Sequence, residues 1–263
     1  MKLSRRAMFA VAAAAMLVSA VPAMADIRFG VAAEPYPPFI SKDASGKWVG
    51  WEIDVMDALC AELKEKCSIV EVAWDGIIPA LQAKQFDLIW ASMAITAERK
   101  KTIDFSNMYY NAQAVLAGAK NGDRDIAPAH LAGKTIGTQV STIHQRYVEK
   151  YFAAAGAEVK AYQTQDEANQ DLAAGRLDYV QAEGAALDAF LKTEAGKACC
   201  ELKGQVPDDP VILGEGVGAG IRKEDAALKE RINGAIAALA RAGTFQAITD
   251  KYPALKSQIV LPK

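Results

Sequence analysis

Residues 50–76 read Gly50-Trp51-Glu52-Ile53-Asp54-Val55-Met56-Asp57-Ala58-Leu59-Cys60-Ala61-Glu62-Leu63-Lys64-Glu65-Lys66-Cys67-Ser68-Ile69-Val70-Glu71-Val72-Ala73-Trp74-Asp75-Gly76. They predict a helix over about Asp54–Lys64, a strand over Ser68–Val72 and a second helix opened by Asp75. Working outward, a strand over Ile27–Ala32 precedes this unit and one over Asp87–Ala91 follows it. Short apolar strands alternating with helices predict a parallel sheet covered by helices, because parallel neighbours need a crossover between them. A second set runs through strand Thr135–Thr138, a helix over about Thr142–Phe152, strand Val159–Tyr162, a helix over about Asp166–Ala174 ended by Gly175, and strand Tyr179–Gln181. Two such sets predict an α/β chain of two lobes. The polar stretch Lys120–Asp125 between them reads as a surface loop, and Gly214–Gly220, with glycine at every second position, as flexible or closely packed backbone. A long helix over about Asp225–Ala242 closes at Gly243.

The composition, 51% hydrophobic and 24% charged over 263 residues, is that of folded domains and excludes disorder as the main feature. The 30 Lys and Arg nearly balance the 32 Asp and Glu, and no basic run is long enough to track a phosphate backbone, which argues against nucleic acid as a partner. At the N-terminus Lys2, Arg5 and Arg6 precede the apolar or small run Ala7–Ala20, and Ala23-Met24-Ala25 supplies a small-x-small cleavage pattern. Residues 1–25 are therefore expected to be an export signal cut before Asp26. The run falls short of the ~20 residues that cross a bilayer, so the mature chain is expected to be soluble. General secretion is the expected route; Ser4-Arg5-Arg6 hints at twin-arginine export, but Met8 stands where that signal usually has Phe. No Cys at the cleavage point invites a lipid anchor.

Cysteines of an exported chain meet an oxidising compartment. A bridge between Cys60 and Cys67 would staple the helix-to-strand turn, worth about 2 to 3 kcal/mol for so short a loop; unbridged, they would be two buried thiols. Cys199 and Cys200 are adjacent, with Cα atoms about 3.8 Å apart, below the usual disulfide range. They are expected to be free or paired elsewhere rather than with each other.

Two motifs fail on inspection. Gly214-Glu215-Gly216-Val217-Gly218-Ala219 formally matches a dinucleotide fingerprint, with Val211–Leu213 as its strand, yet Gly220-Ile221 does not open the helix whose positive end would hold a pyrophosphate. Gly133-Lys134-Thr135 resembles the end of a phosphate loop whose first glycine would fall on Pro128. His130 and His144 stand without metal-ligand partners at suitable spacing, and no Gly-x-Ser-x-Gly is present. No metal or cofactor is expected.

Several stretches together carry a resemblance: Glu34-x-Tyr36-Pro37-Pro38-Phe39, Gly50-Trp51-Glu52-Ile53-Asp54-Val55 with Leu59-Cys60 and Leu63, Trp74-Asp75-Gly76-Ile77-Ile78-Pro79-Ala80-Leu81, Thr96-x-x-Arg99, Asp104-Phe105-Ser106, and Gly175-Arg176-Leu177-Asp178. The chain resembles the periplasmic solute-binding proteins of family 3, the polar amino acid-binding proteins of ABC importers, and is similar to lysine/arginine/ornithine-, histidine- and opine-binding members. The resemblance implies the type II periplasmic binding protein fold, two lobes joined by two crossing hinge strands, with a small ligand between them. It divides the chain into residues 26–111 and 214–263 for one lobe and 112–213 for the other, the chain leaving near Tyr110–Ala112 and returning near Val211–Gly216. It implies a monomer that delivers an amino acid-like ligand to membrane permease subunits, and it places a bridge at Cys60 and Cys67.

By the same resemblance Arg99 binds the ligand carboxylate, a role suited to a planar guanidinium with two parallel donors, while Thr96 caps the short helix that bears it. Glu183 and Ser92 receive the α-ammonium. Ser141, Thr142 and Ile143 form the second-lobe turn whose backbone N–H groups meet the carboxylate at a helix start. Tyr36 and Trp74 wall the side-chain pocket, and Glu34 meets a cationic tail. The family usually has Ser or Thr at Ala94 and Thr at Ile143, so two hydroxyl contacts are missing here, which suits a ligand modified near its nitrogen as well as a free amino acid. A rival on the same scaffold is an enzyme resembling the cyclohexadienyl or arogenate dehydratases, with Glu183 as general acid.

Overall fold

In the computed structural model, which describes residues 26–263, the helix of the opening stretch spans Trp51–Leu63 and so starts before Asp54. The reason is Gly50, which caps it at φ 125°, where a Cβ would lie 2.3 Å from the Phe39 carbonyl oxygen. Only glycine fits that turn. Glu52 and Asp54 then fall in the first turn, beside the positive helix end. The export-signal reading of residues 1–25 lies outside the described residues.

Lys64, in the left-handed region at φ 57°, ends the helix and turns the chain into the strand Cys67–Val72. Cys60 and Cys67 are bridged across this turn, with Cα atoms 6.2 Å apart. Replacing both by Ser removes the loop closure from the unfolded state and is expected to cost about 2 to 3 kcal/mol. At roughly 2 to 4 °C per kcal/mol for a chain of this size, thermal unfolding should fall by about 4 to 12 °C. An unchanged midpoint would show that the bridge does not constrain the unfolded chain.

Two five-stranded sheets carry the two lobes. In the first, Ile27–Ala32 pairs in parallel with Cys67–Val72 on one side and Leu88–Ile89 on the other. Gly220–Ile221, from far along the chain, then inserts antiparallel between Leu88–Ile89 and Asp104–Phe105. In the second, Thr135–Gln139 lies parallel between Glu158–Tyr162 and Tyr179–Glu183, and Ala114–Ala119 and Cys200–Gln205 extend the sheet antiparallel. The first pass between sheets runs through Asn111–Ala112, which pairs with Ile259–Val260 near the C-terminus. The return is anchored where Glu215 N–H donates to the Ile95 carbonyl and Ile95 N–H donates to the Gly216 carbonyl.

Val211–Leu213 is not a strand. Asp209 caps a short helix over Pro210–Leu213, its carboxylate accepting from Val211 N–H at 3.0 Å, and Pro210 supplies a pre-set first position. The crossing proper starts only after Leu213, and the fingerprint-like glycines serve it: at Gly214 (φ 87°) a Cβ would meet the Ile95 oxygen at 2.5 Å. The expectation for Cys199 and Cys200 is corrected as well, since the two are bonded to each other with Cα atoms 3.7 Å apart. The usual spacing describes bridges between separate segments. Here the helix Glu194–Cys199 gives way to extended backbone at Cys200, and the neighbours close a ring of their own.

The first-lobe core beneath the cleft is aromatic. Trp90 stacks on Tyr109 at 4.1 Å between ring centroids, Phe39 on Tyr110 at 4.9 Å, and Trp51 meets Tyr110 edge-on at 5.3 Å. Trp51 is fully buried and satisfies its indole N–H on Thr249 Oγ1 at 2.9 Å.

Candidate functional site

A cavity lies between the two sheets. Glu34, Tyr36, Trp74, Ser92, Ala94 and Arg99 line it from the first lobe, and Thr142, Ile143 and Glu183 from the second. Nine of the ten ligand positions read from the sequence are thus brought together. Ser141 is the exception. Its side chain is exposed, its N–H donates to Gln145 Oε1 at 2.8 Å, and only its carbonyl faces the site, accepting from Arg99 Nη2 at 3.2 Å. The Ser141 N–H, expected to meet a ligand carboxylate, is here engaged by the Gln145 side chain. Held left-handed at φ 60°, Ser141 turns the chain so that Thr142 caps the following helix, with Gln145 N–H donating to its hydroxyl at 3.1 Å. Thr142 and Ile143 are left at the cavity with the unpaired donors of a first turn.

Arg99 sits in the four-residue helix Ala97–Lys100, and Thr96 caps it as expected, accepting from Arg99 N–H at 3.2 Å. The guanidinium is buried, donates to the Ala94 carbonyl at 2.9 Å, and lies 5.4 Å from the centre of the Trp74 ring. Burial, with a smaller push from Arg146, pulls its pKa down to about 9, so it stays cationic at neutral pH. No carboxylate pairs with it among the described residues. Glu183 is the mirror case. It occupies the cap position of the helix Gly184–Leu191 but makes no capping bond; its carboxylate turns inward and accepts from the Tyr110 hydroxyl at 3.2 Å. Burial, and then the charge of Glu52, push its pKa up to about 8. No cation pairs with it among the described residues.

The side-chain end of the cavity is built from Glu34, Tyr36 and Trp74. The Glu34 carboxylate accepts from the backbone N–H of Trp74 at 3.0 Å, which ties Glu34 to the segment that carries the half-buried indole. Four residue pairs are joined by side-chain bonds across the cleft: Trp74 Nε1 donates to the Val140 carbonyl at 3.1 Å, Arg99 to the Ser141 carbonyl, Glu183 N–H to the Tyr36 hydroxyl at 3.3 Å, and the Tyr110 hydroxyl to the Glu183 carboxylate. Sequence reasoning missed Gln139, His144 and Gln165, which also line the cavity. His144 is buried, its pKa lowered to about 3 by burial and by Arg99, and its Nδ1 has no partner among the described residues. Its only sequence signal was its place one residue after Ile143, in the first turn after the Thr142 cap. A second cavity adjoins the first and shares Ala94, Ile143, His144 and Glu183 with it.

A buried cation and a buried acid on opposite walls, each without a counter-charge among the described residues, could together receive the two charges of a zwitterion. The comparisons with known proteins agree with a receptor. The chain is 41% identical over 244 residues to the L-arginine-binding protein of Pseudomonas aeruginosa, covering 91% of this chain and 93% of that one. It is 36% identical over 252 residues, 95% of each chain, to the histidine-binding periplasmic protein of Escherichia coli. An ancestral arginine-binding protein bound to arginine superposes with a TM-score of 0.78 at 34% identity, over 86% of this chain and 97% of that one. The profile of bacterial extracellular solute-binding proteins, family 3, matches residues 27–254, and it is to this family that the chain belongs.

Proposed function

We propose that this chain is the periplasmic capture component of an ABC importer for an α-amino acid with a cationic side chain, or a close derivative. The observation that carries the reading is the pair Arg99 and Glu183, a buried cation and a buried acid that face one cavity and lack counter-charges among the described residues. An α-carboxylate and an α-ammonium would neutralise both at once. Tyr36 and Trp74 offer aromatic faces, and Glu34 a carboxylate, to a guanidinium or ammonium tail. The relatives named for arginine and histidine point the same way. In this reading residues 26–111 with 214–263 form one lobe and 112–213 the other, residues 1–25 direct export, and the chain works as a monomer that presents its closed form to permease subunits. Closure follows from the ligand's preference for the state in which Arg99 and Ser92 meet Thr142, Ile143 and Glu183.

The test is thermal unfolding of residues 26–263, refolded to strip solute, with arginine, lysine, ornithine, histidine, glutamine, neutral amino acids and N-substituted amino acids. Ligand at 100 times its Kd stabilises by about 2.7 kcal/mol, or roughly 5 to 11 °C at this chain length. A shift with the basic amino acids alone supports the cation pocket. A shift only with N-substituted compounds assigns the adjoining cavity beside Ala94, Ile143 and Glu183 to the substituent. The dehydratase reading has one observation in its favour, a Glu183 carboxyl that holds its proton near neutrality. Prephenate or arogenate turned over by the wild type and not by Glu183→Gln would establish it against the capture role.

A further inference from the structure

Glu52 does not line the cavity, yet it is fully buried directly behind a residue that does. Its carboxylate takes three donors: Oε1 accepts from Ser92 N–H at 2.8 Å and from the Tyr109 hydroxyl, and Oε2 accepts from the Ser92 hydroxyl at 2.9 Å. Ser92 is held at φ 50°, a left-handed conformation unfavourable for a residue with a Cβ. Its backbone and side-chain donors thus both point back at one carboxylate.

We propose that Glu52 is a positioning residue that fixes the polarity of Ser92 and thereby selects a ligand that donates to it. A carboxylate only accepts, so the Ser92 proton is committed inward and the hydroxyl offers the cavity lone pairs alone. An ammonium meets those lone pairs; a ligand with no donor there, or with an acceptor, does not. The inference rests on the amino acid reading above and deepens it, naming what sets the preference for the α-ammonium. The charge of Glu52 also reaches the ligand side, where it raises the Glu183 carboxyl.

Glu52→Gln tests this with little change in shape. The Ser92 N–H can only donate, so the amide oxygen must stay beneath it and Nε2 must face Ser92 Oγ, turning the hydroxyl proton into the cavity. Binding is measured by calorimetry for L-arginine and for 5-guanidinopentanoic acid, which is arginine without its α-amino group. The expected result is a loss of about 10- to 100-fold for arginine, the scale of a hydrogen bond to a charged group, with the desamino compound changed less than threefold. In a Ser92→Ala background the same substitution should cost arginine much less, because the group it acts through is gone. Equal losses for both ligands, or full additivity with Ser92→Ala, would show Glu52 to be merely structural and overturn the proposal. A wild type that binds no amino acid at all overturns the amino acid reading and this inference with it. If Glu52→Gln does not fold, the Ser92 13Cβ signal of the wild type in mixed H2O and D2O decides: a doublet shows a held hydroxyl proton, and a single averaged line overturns it.

Discussion

Arg99→Ala is expected to lose L-arginine binding by at least 30-fold and up to several thousand-fold in calorimetry, while the apo protein unfolds at an unchanged or higher temperature. The first half follows from the bonds a ligand carboxylate would make. Removing one partner of a buried, hydrogen-bonded charge pair costs about 2 to 5 kcal/mol, which is roughly 30- to 5,000-fold in Kd. The second half follows from the absence of a counter-charge for Arg99 among the described residues. Its guanidinium is held by two carbonyl oxygens, Ala94 and Ser141, and by the face of Trp74. Burial disfavours its charge, as the pKa of about 9 records. Alanine removes that cost, keeps the Thr96 cap because the cap uses the backbone N–H, and is the best helix former for the Ala97–Lys100 turn. Arg99→Lys should recover little, since an ammonium cannot offer two parallel donors. Near wild-type affinity in Arg99→Ala would remove this residue from the site.

The two lobes and the Thr96 cap were legible in the sequence because local rules govern them, whereas the candidate site residues came from motifs that resemble the family's. The Thr96 cap and Arg99, three residues on, obey capping chemistry, and the alternation of strands and helices obeys the needs of parallel pairing. What stayed hidden depends on direction and on distant contact. Glu52 stands in a quoted motif, but its inward aim follows from a helix that starts at Trp51, which Gly50 permits because any Cβ there would clash with the Phe39 carbonyl. Tyr110 meets Glu183 only because the chain passes between sheets at residues 111–112 and pairs Glu183 with Ala114. Ser141 and Thr142 are chemically alike and adjacent, and only the left-handed turn at Ser141 decides which one faces the cavity. The link between Cys199 and Cys200 rests on a helix-to-strand break between them, which spacing rules for distant segments do not address.

Glu183→Gln carries the second large effect, and its signature is the pH dependence it abolishes. In wild type the Glu183 carboxyl is held protonated up to about pH 8 by burial and by Glu52, against the Tyr110 hydroxyl, which favours the anion. Two other groups that line the cleft keep one charge state near neutrality, since His144 stays uncharged above about pH 3 and Arg99 charged to about pH 9. A ligand ammonium favours the carboxylate, so binding below pH 8 must expel the proton. Affinity for L-arginine should therefore rise with pH from 6 to 8 by up to about tenfold per unit, with nearly one proton released per ligand at pH 6 to 7. Calorimetry in phosphate and in Tris reads that proton directly. For the apo protein the sign is opposite. The folded state holds a proton that the unfolded chain releases near the ordinary value of 4.5, so this stabilisation is complete below that pH and fades as pH rises through about 8. In Glu183→Gln the amide is neutral throughout, so arginine affinity should be flat from pH 6 to 8, about 10- to 150-fold weaker than wild type at pH 8, and binding should release no proton. A wild type with flat affinity and no proton release over the same range would show that no ammonium meets this carboxylate, and the zwitterion reading of the cleft would lose its acidic half.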